Sequence, residues 1–234
     1  VHPSERGHLK QALVKLGWPA EDVAGYVDGE RHAIGLQAEA WQPRPYQTEA
    51  AEGFWHGGSG VVVLPCGSGK TIVGALAMAL AQATTLILVT NTVSARQWRA
   101  ELLKRTTLTE AEIGEYSGTV KDIRPVTIAT YQVMTTKRKG VYSHLELFDS
   151  RDWGLILYDE VHLLPAPRGQ EWLELVRYWR EGGRARVWFL ADARRIDLAL
   201  IDPASRHANG RYAWPFAAAA ALVEQVRRLS VRRP

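Results

Sequence analysis

Four apolar runs punctuate the middle of the chain, at residues 61–64, 86–89, 126–129 and 155–158, and none alternates with polar positions. Runs of this length, rich in Val, Ile and Leu and lacking a polar face, predict strands buried on both sides. Helical patterns separate them: an alanine-rich stretch over 69–81 and an amphipathic one over 94–105. Strands alternating with helices argue for an α/β fold with a parallel sheet covered on both faces. Residues 4–28 predict two short helices, split at Gly17-Trp18-Pro19 and too small to fold alone. Beyond Pro167 the pattern predicts a helix over 169–180 with Trp172, Leu175, Val176 and Trp179 on one face. A strand over 186–190 and a helix over 216–229, with Leu222, Val226 and Leu229 in register, follow. These pieces are expected to cover the open edge of the sheet. The chain is thus expected to divide into a helical N-terminal segment (1–40), a parallel-sheet lobe (41–167) and an unassigned α/β tail (168–234).

Composition narrows the classes. With 234 residues, 46% of them apolar and 23% charged, the chain can build a core, which excludes a disordered or collagen-like protein. A single cysteine, Cys66, cannot form an intramolecular disulfide, so a reducing cytosol is the expected compartment. The longest apolar runs, 71–83 and 216–223, fall short of the roughly 20 residues of a membrane helix, and no signal-peptide pattern opens the chain. Val1 in place of Met points to a trimmed or partial chain. A net charge of +4 and a pI near 9.3 admit nucleic acid as a partner. That charge is unevenly placed. Residues 1–167 hold 16 Lys+Arg against 18 Asp+Glu, residues 168–234 hold 13 against 7, and every lysine lies at or before Lys139. The change in composition marks a candidate junction near Pro165-Ala166-Pro167, as in a chimera or fusion.

Candidate chemistry sits at the ends of two strands. Pro65-Cys66-Gly67-Ser68-Gly69-Lys70-Thr71 follows one strand and opens the next helix. There, backbone amides and the positive end of the helix can cradle a phosphate. Lys70 would neutralise the β- and γ-phosphates of ATP, and the Thr71 hydroxyl would ligate Mg²⁺. The general pattern GxxxxGK[ST] asks for glycine at position 64, where this chain has Leu64. About 90 residues later Asp159-Glu160-Val161-His162 follows another buried strand. Asp159 is placed to hold Mg²⁺ through water, and Glu160 to activate the attacking water. A zinc site is not indicated, because no second His or Cys stands at ligand spacing from His162.

With both motifs in place, residues 1 to about 167 resemble the prokaryotic XPB-type superfamily 2 helicases. Arg44-Pro45-Tyr46-Gln47 is similar to the family's adenine-recognition segment, and residues 64–71 to its variant of motif I, in which leucine at position 64 is ordinary. Val89-Thr90-Asn91-Thr92 resembles motif Ia, Ile128-Ala129-Thr130-Tyr131-Gln132 motif Ic, and residues 159–162 a DExH-type motif II. The resemblance implies a RecA-like lobe with a phosphate loop, using ATP and Mg²⁺ to move on DNA 3′ to 5′ in transcription or repair. It implies that Gln47, with Arg44, reads the adenine and that His162 links the phosphate site to the DNA side. Thr92, Thr130 and Tyr131 then face a DNA strand or fork tracked through its backbone. The expected location is cytoplasmic, on the nucleoid when DNA is bound.

After Pro167 the resemblance fades. Residues 187–193 offer a strand and turn roughly where motif III would fall, but without its hydroxyl residues, and a second lobe with arginine fingers is not recognisable. Slow hydrolysis unless a partner protein supplies a second lobe is therefore expected. A non-hydrolysing nucleotide- or DNA-binding module and a fusion product without selected function are the competing readings. Lys137-Arg138-Lys139, beside Gly140, reads as a basic loop, either a solvated surface or a phosphate contact. Residues 169–215 faintly resemble a soluble segment of glycosyltransferase-like membrane proteins, and no site residue is placed there.

Overall fold

The computed structural model describes residues 28–160, other than 38, 40, 58, 59, 66, 139 and 140, together with 186–192, 213, 214 and the single positions 13, 16 and 18. The helices expected over 169–180 and 216–229, and all but four positions of those expected over 4–28, lie outside the described residues.

Seven strands form the main sheet: β1 (Gly60–Leu64), β2 (Thr85–Val89), β3 (Ile113–Tyr116), β4 (Val126–Thr130), β7 (Leu155–Tyr158), β8 (Arg186–Asp192) and β9 (Ala213–Trp214). Two more, β5 (Lys137–Arg138) and β6 (Val141–Tyr142), pair as a separate antiparallel hairpin, so the basic run expected in a loop begins in a strand. The order in the sheet is β3-β4-β2-β7-β8-β1-β9, parallel throughout except for β9 on β1. Every residue of β2, β4 and β7 is buried, as runs without a polar face require. Chain order and sheet order differ, which brings the ends of distant strands together.

The placement of β8 corrects one expectation. Residues 186–192 do not cover an edge; they lie inside the sheet, between β1 and β7, with Leu190 fully buried and Val62 opposite it. Sheet membership therefore continues past position 167.

Helix α1 (Pro45–Gly57) opens on proline, whose missing N–H costs nothing in a first turn, and packs along α2 (Lys70–Ala81). Helix α2 buries Val73, Gly74, Ala75, Leu76, Ala77 and Met78, more than one face, as suits a central helix of small residues. Helix α3 (Thr92–Arg105) is amphipathic in the ordinary way: Ala95, Trp98 and Leu102 form its buried stripe. The Asn91 side chain caps it, accepting from the Ser94 amide at 2.9 Å. A short α4 (Tyr131–Met134) follows β4 directly. Gly74 is where α2 and α3 meet. A Cβ there would fall 2.5 Å from the Trp98 ring, so only glycine lets that ring lie against α2.

Candidate nucleotide-binding site

The loop between β1 and α2 turns through two residues at positive φ, Gly67 (77°) and Gly69 (81°), a region that glycine enters without steric cost. A Cβ on Gly67 would meet nothing within 4 Å, so the loop is open there, whereas one on Gly69 would lie 2.6 Å from Gln47 Nε2. The loop is braced from α1. Tyr46 Oη donates to the Ser68 carbonyl at 2.6 Å and Gln47 Nε2 to the same oxygen at 2.9 Å, while Gln47 Oε1 accepts from the Arg44 amide at 2.9 Å. Ser68 Oγ closes the turn by donating to the Pro65 carbonyl. Gln47, 2% exposed, thus spends its amide group on the loop, and the Arg44 side chain is exposed beside Tyr46. Cys66 and His162 lie outside the described residues.

The second half of the site comes from the end of β7. Lys70 Nζ and Glu160 Oε1 stand 3.1 Å apart, so residues 90 positions apart in sequence meet across the carboxyl ends of the strands. Both Lys70 and Asp159 are buried, and Glu160 is the more open of the pair it forms with Lys70. Glu160 has φ of 50°, in the left-handed region that disfavours a side chain with Cβ. Such a conformation persists where surrounding contacts over-determine it, and several converge on this peptide. The Asp159 amide donates to the Leu88 carbonyl at 2.8 Å, and the buried Tyr131 hydroxyl donates to the Asp159 carbonyl at 2.6 Å. The Asp159 carboxylate accepts from Trp98 Nε1 at 2.7 Å.

Burial pushes the Asp159 carboxyl up to about 6; the Trp98 hydrogen bond, Lys70 and the Glu160 amide favour its ionised form, and the Glu160 charge opposes it. Tyr131 and Tyr158, stacked with centroids 6.4 Å apart, are both held above the usual phenol range by burial.

The three residues expected to face DNA separate in the structure. Thr92, in the first turn of α3, is exposed, but Thr130 and Tyr131 are 1% and 2% exposed. Neither buried side chain offers a surface to a strand, and Tyr131 instead anchors the Asp159–Glu160 peptide. Trp98 escaped the sequence reading altogether: it holds the Asp159 carboxylate, yet looks like an ordinary helix residue in a linear pattern. Tyr46, read only as part of the segment 44–47, braces the loop.

A buried carboxylate beside a buried lysine, at the mouth of an open glycine-turned loop that leads into a helix, is a donor set suited to a magnesium-bound polyphosphate. Thr71, the next residue of α2 after Lys70, adds the hydroxyl such a site uses. Among the described residues no group of three or more His, Cys, Asp or Glu side chains is placed to hold a metal ion.

The fold is that of a helicase lobe, and the donor set suits a nucleotide. The chain belongs to the family described as "Type III restriction enzyme, res subunit", which matches residues 40–181. It is a homologue of the XPB-type DNA 3′-5′ helicases. The protein named "DNA 3'-5' helicase XPB" in Kineococcus radiotolerans is 81% identical over 167 residues, and its Mycobacterium tuberculosis namesake is 73% identical over the same length. Each match covers 71% of this chain and 30% of the relative, so the chain spans about a third of the length of these proteins. In fold it resembles the UvsW helicase from bacteriophage T4, with a TM-score of 0.59 at 17% identity over 83% of this chain and 72% of that one. The α/β fold with a parallel sheet expected from the strand pattern, and its RecA-like type implied by the family resemblance, are the fold observed. No helix among the described residues is long and apolar enough to cross a membrane.

Proposed function

We propose that this chain is the ATP-binding lobe of an XPB-type DNA helicase or translocase, and that it takes up Mg-ATP at the loop after β1 and contacts DNA along the backbone. The observation that carries the reading is the meeting of Lys70 with Glu160, beside buried Asp159, at the carboxyl ends of β1 and β7. Lys70 binds the β- and γ-phosphates, exchanging its Glu160 partner for phosphate oxygens. Thr71 and Asp159 hold Mg²⁺, which when bound supplies charge neutralisation to the phosphates. Glu160, released from Lys70, accepts a proton from the attacking water. Gln47 holds the loop and, with Arg44, borders the adenine; His162 completes the DExH motif. Exposed Thr92 is the DNA-facing residue retained from the sequence reading.

Turnover by this lobe alone is slow. An arginine on the γ-phosphoryl oxygens contributes on the order of 10³ to 10⁵ in rate, and a second lobe is the proposed source. Work in DNA repair or transcription, at the nucleoid of a bacterial cell, is the proposed setting, and the kinship with XPB supports it.

Titrating a fluorescent ATP analogue against the chain and its Lys70→Ala variant tests the nucleotide half. A loss of binding in the variant is expected, and equal affinity refutes the assignment. Single-turnover hydrolysis with and without DNA separates a slow enzyme from a module that only binds.

A further inference from the structure

Asp159 is held at several points, and one of them is a tryptophan. The Leu88 carbonyl takes its amide, the Tyr131 hydroxyl takes its carbonyl, and Trp98 Nε1 reaches carboxylate oxygen Oδ2 at 2.7 Å. The first two fix the backbone; the third, together with the Glu160 amide, holds the carboxylate, and Trp98 is the side-chain donor of the two. Trp98 is itself immobile. It is 1% exposed, in the buried stripe of α3, and its ring lies where a Cβ on Gly74 would come within 2.5 Å.

The choice of an indole has chemical content. Its N–H only donates, so it binds a carboxylate oxygen without presenting a lone pair that competes for a cation. By binding Oδ2 it restricts the rotation of the carboxylate about its side-chain torsions. A core-filling residue would need none of this: Leu or Phe could fill the space against Gly74. An apolar side chain would, however, leave a buried carboxylate without this donor and with its orientation held less firmly.

We propose that Trp98 is a positioning residue for magnesium binding, orienting Asp159 through its indole N–H; the inference rests on the nucleotide reading above. Partners that orient metal-binding side chains in this way typically alter metal affinity by 10- to 100-fold when removed. Trp98→Phe keeps an aromatic ring and deletes the donor.

The test compares affinity for a fluorescent ATP analogue in Mg²⁺ and in EDTA. Trp98→Phe is expected to lose on the order of 10-fold in Mg²⁺ and to match the parent protein in EDTA, because the phosphate loop is untouched. An equal loss in both conditions, the mark of a structural role, overturns the proposal, as does no loss in either. Failure of the parent protein to bind the analogue in either condition refutes the nucleotide reading instead, which keeps the two apart. A second measurement covers a variant that does not fold. Among the nine tryptophans, one indole N–H resonance of the ligand-free protein is expected to shift when Asp159→Asn is introduced, and a spectrum with no indole shifted overturns the proposal.

Discussion

The buried carboxylate at the end of β7 is expected to cost the fold stability, and the cost can be worked out. Asp159 has its carboxyl raised from an ordinary 3.8 to about 6, chiefly by burial. Each pH unit of displacement corresponds to about 1.4 kcal/mol of preference for the protonated form. At pH 8 the group is ionised in both folded and unfolded chains, so the full displacement, on the order of 3 kcal/mol, is a penalty on the folded state. The sign follows from proton binding. Between pH 3.8 and about 6 the folded chain holds more proton at this site than the unfolded chain, so its contribution to stability is greatest below 3.8 and is lost as pH rises through 6. Asp159→Asn removes the charge yet keeps an oxygen acceptor for Trp98. The variant should therefore be more stable than the parent at pH 8, by up to about 3 kcal/mol in urea unfolding, with the gap roughly halved at pH 5. It should also lose Mg²⁺-dependent nucleotide binding, the usual exchange of stability against function at such a site. A variant no more stable at pH 8, or a gap that does not change with pH, would refute the claim that burial dominates at Asp159.

Two further outcomes can be checked by the same unfolding measurements. Tyr131→Phe leaves the buried Asp159 carbonyl without its 2.6 Å donor, which should cost about 1–3 kcal/mol; an unchanged midpoint would mean that the hydroxyl does not anchor this peptide. Leu190→Ala should cost about 2–5 kcal/mol, since Leu190 is fully buried in the shared core, and hydrogen exchange should then rise in β1 and β7 together; a variant with parental stability would mean that β8 contributes little to the core.

Much of this molecule is legible in one dimension because its strands are short, apolar and buried on both faces. The patterns at 61–64, 86–89, 126–129 and 155–158 fall within one residue of the ends of β1, β2, β4 and β7. The edge strand Ile113–Tyr116 was not legible: it is four residues long, with Gly114 and Glu115 in its middle. Gly114 is there for close approach, since a Cβ would lie 2.3 Å from the Asp122 carbonyl. The loop and the acidic pair could be found because backbone-driven phosphate binding imposes a local spacing. Trp98 and Tyr131 act through tertiary contacts with a residue 61 and 28 positions away. No local spacing encodes such contacts, and a tyrosine after a strand reads equally well as an exposed stacking surface.

The same limit explains why the tail reads as foreign while part of it lies at the centre of the sheet. An arginine-rich, lysine-free composition says nothing of which residues pair in a sheet. Sheet membership is decided by alternative constraints, namely an apolar run and a register, and residues 186–192 meet both by pairing with β1 from Gly60 to Leu64 and with β7 from Leu155 to Tyr158. The consequence reaches the site. With β8 between them, β1 and β7 stand two strand spacings apart, roughly 10 Å. A parallel sheet binds ligands in the crevice beyond the carboxyl ends of its strands. The gap set by β8 is the one that the Lys70 side chain crosses to meet Glu160. Whatever the origin of the tail, the spacing between the phosphate loop and the acidic pair depends on it.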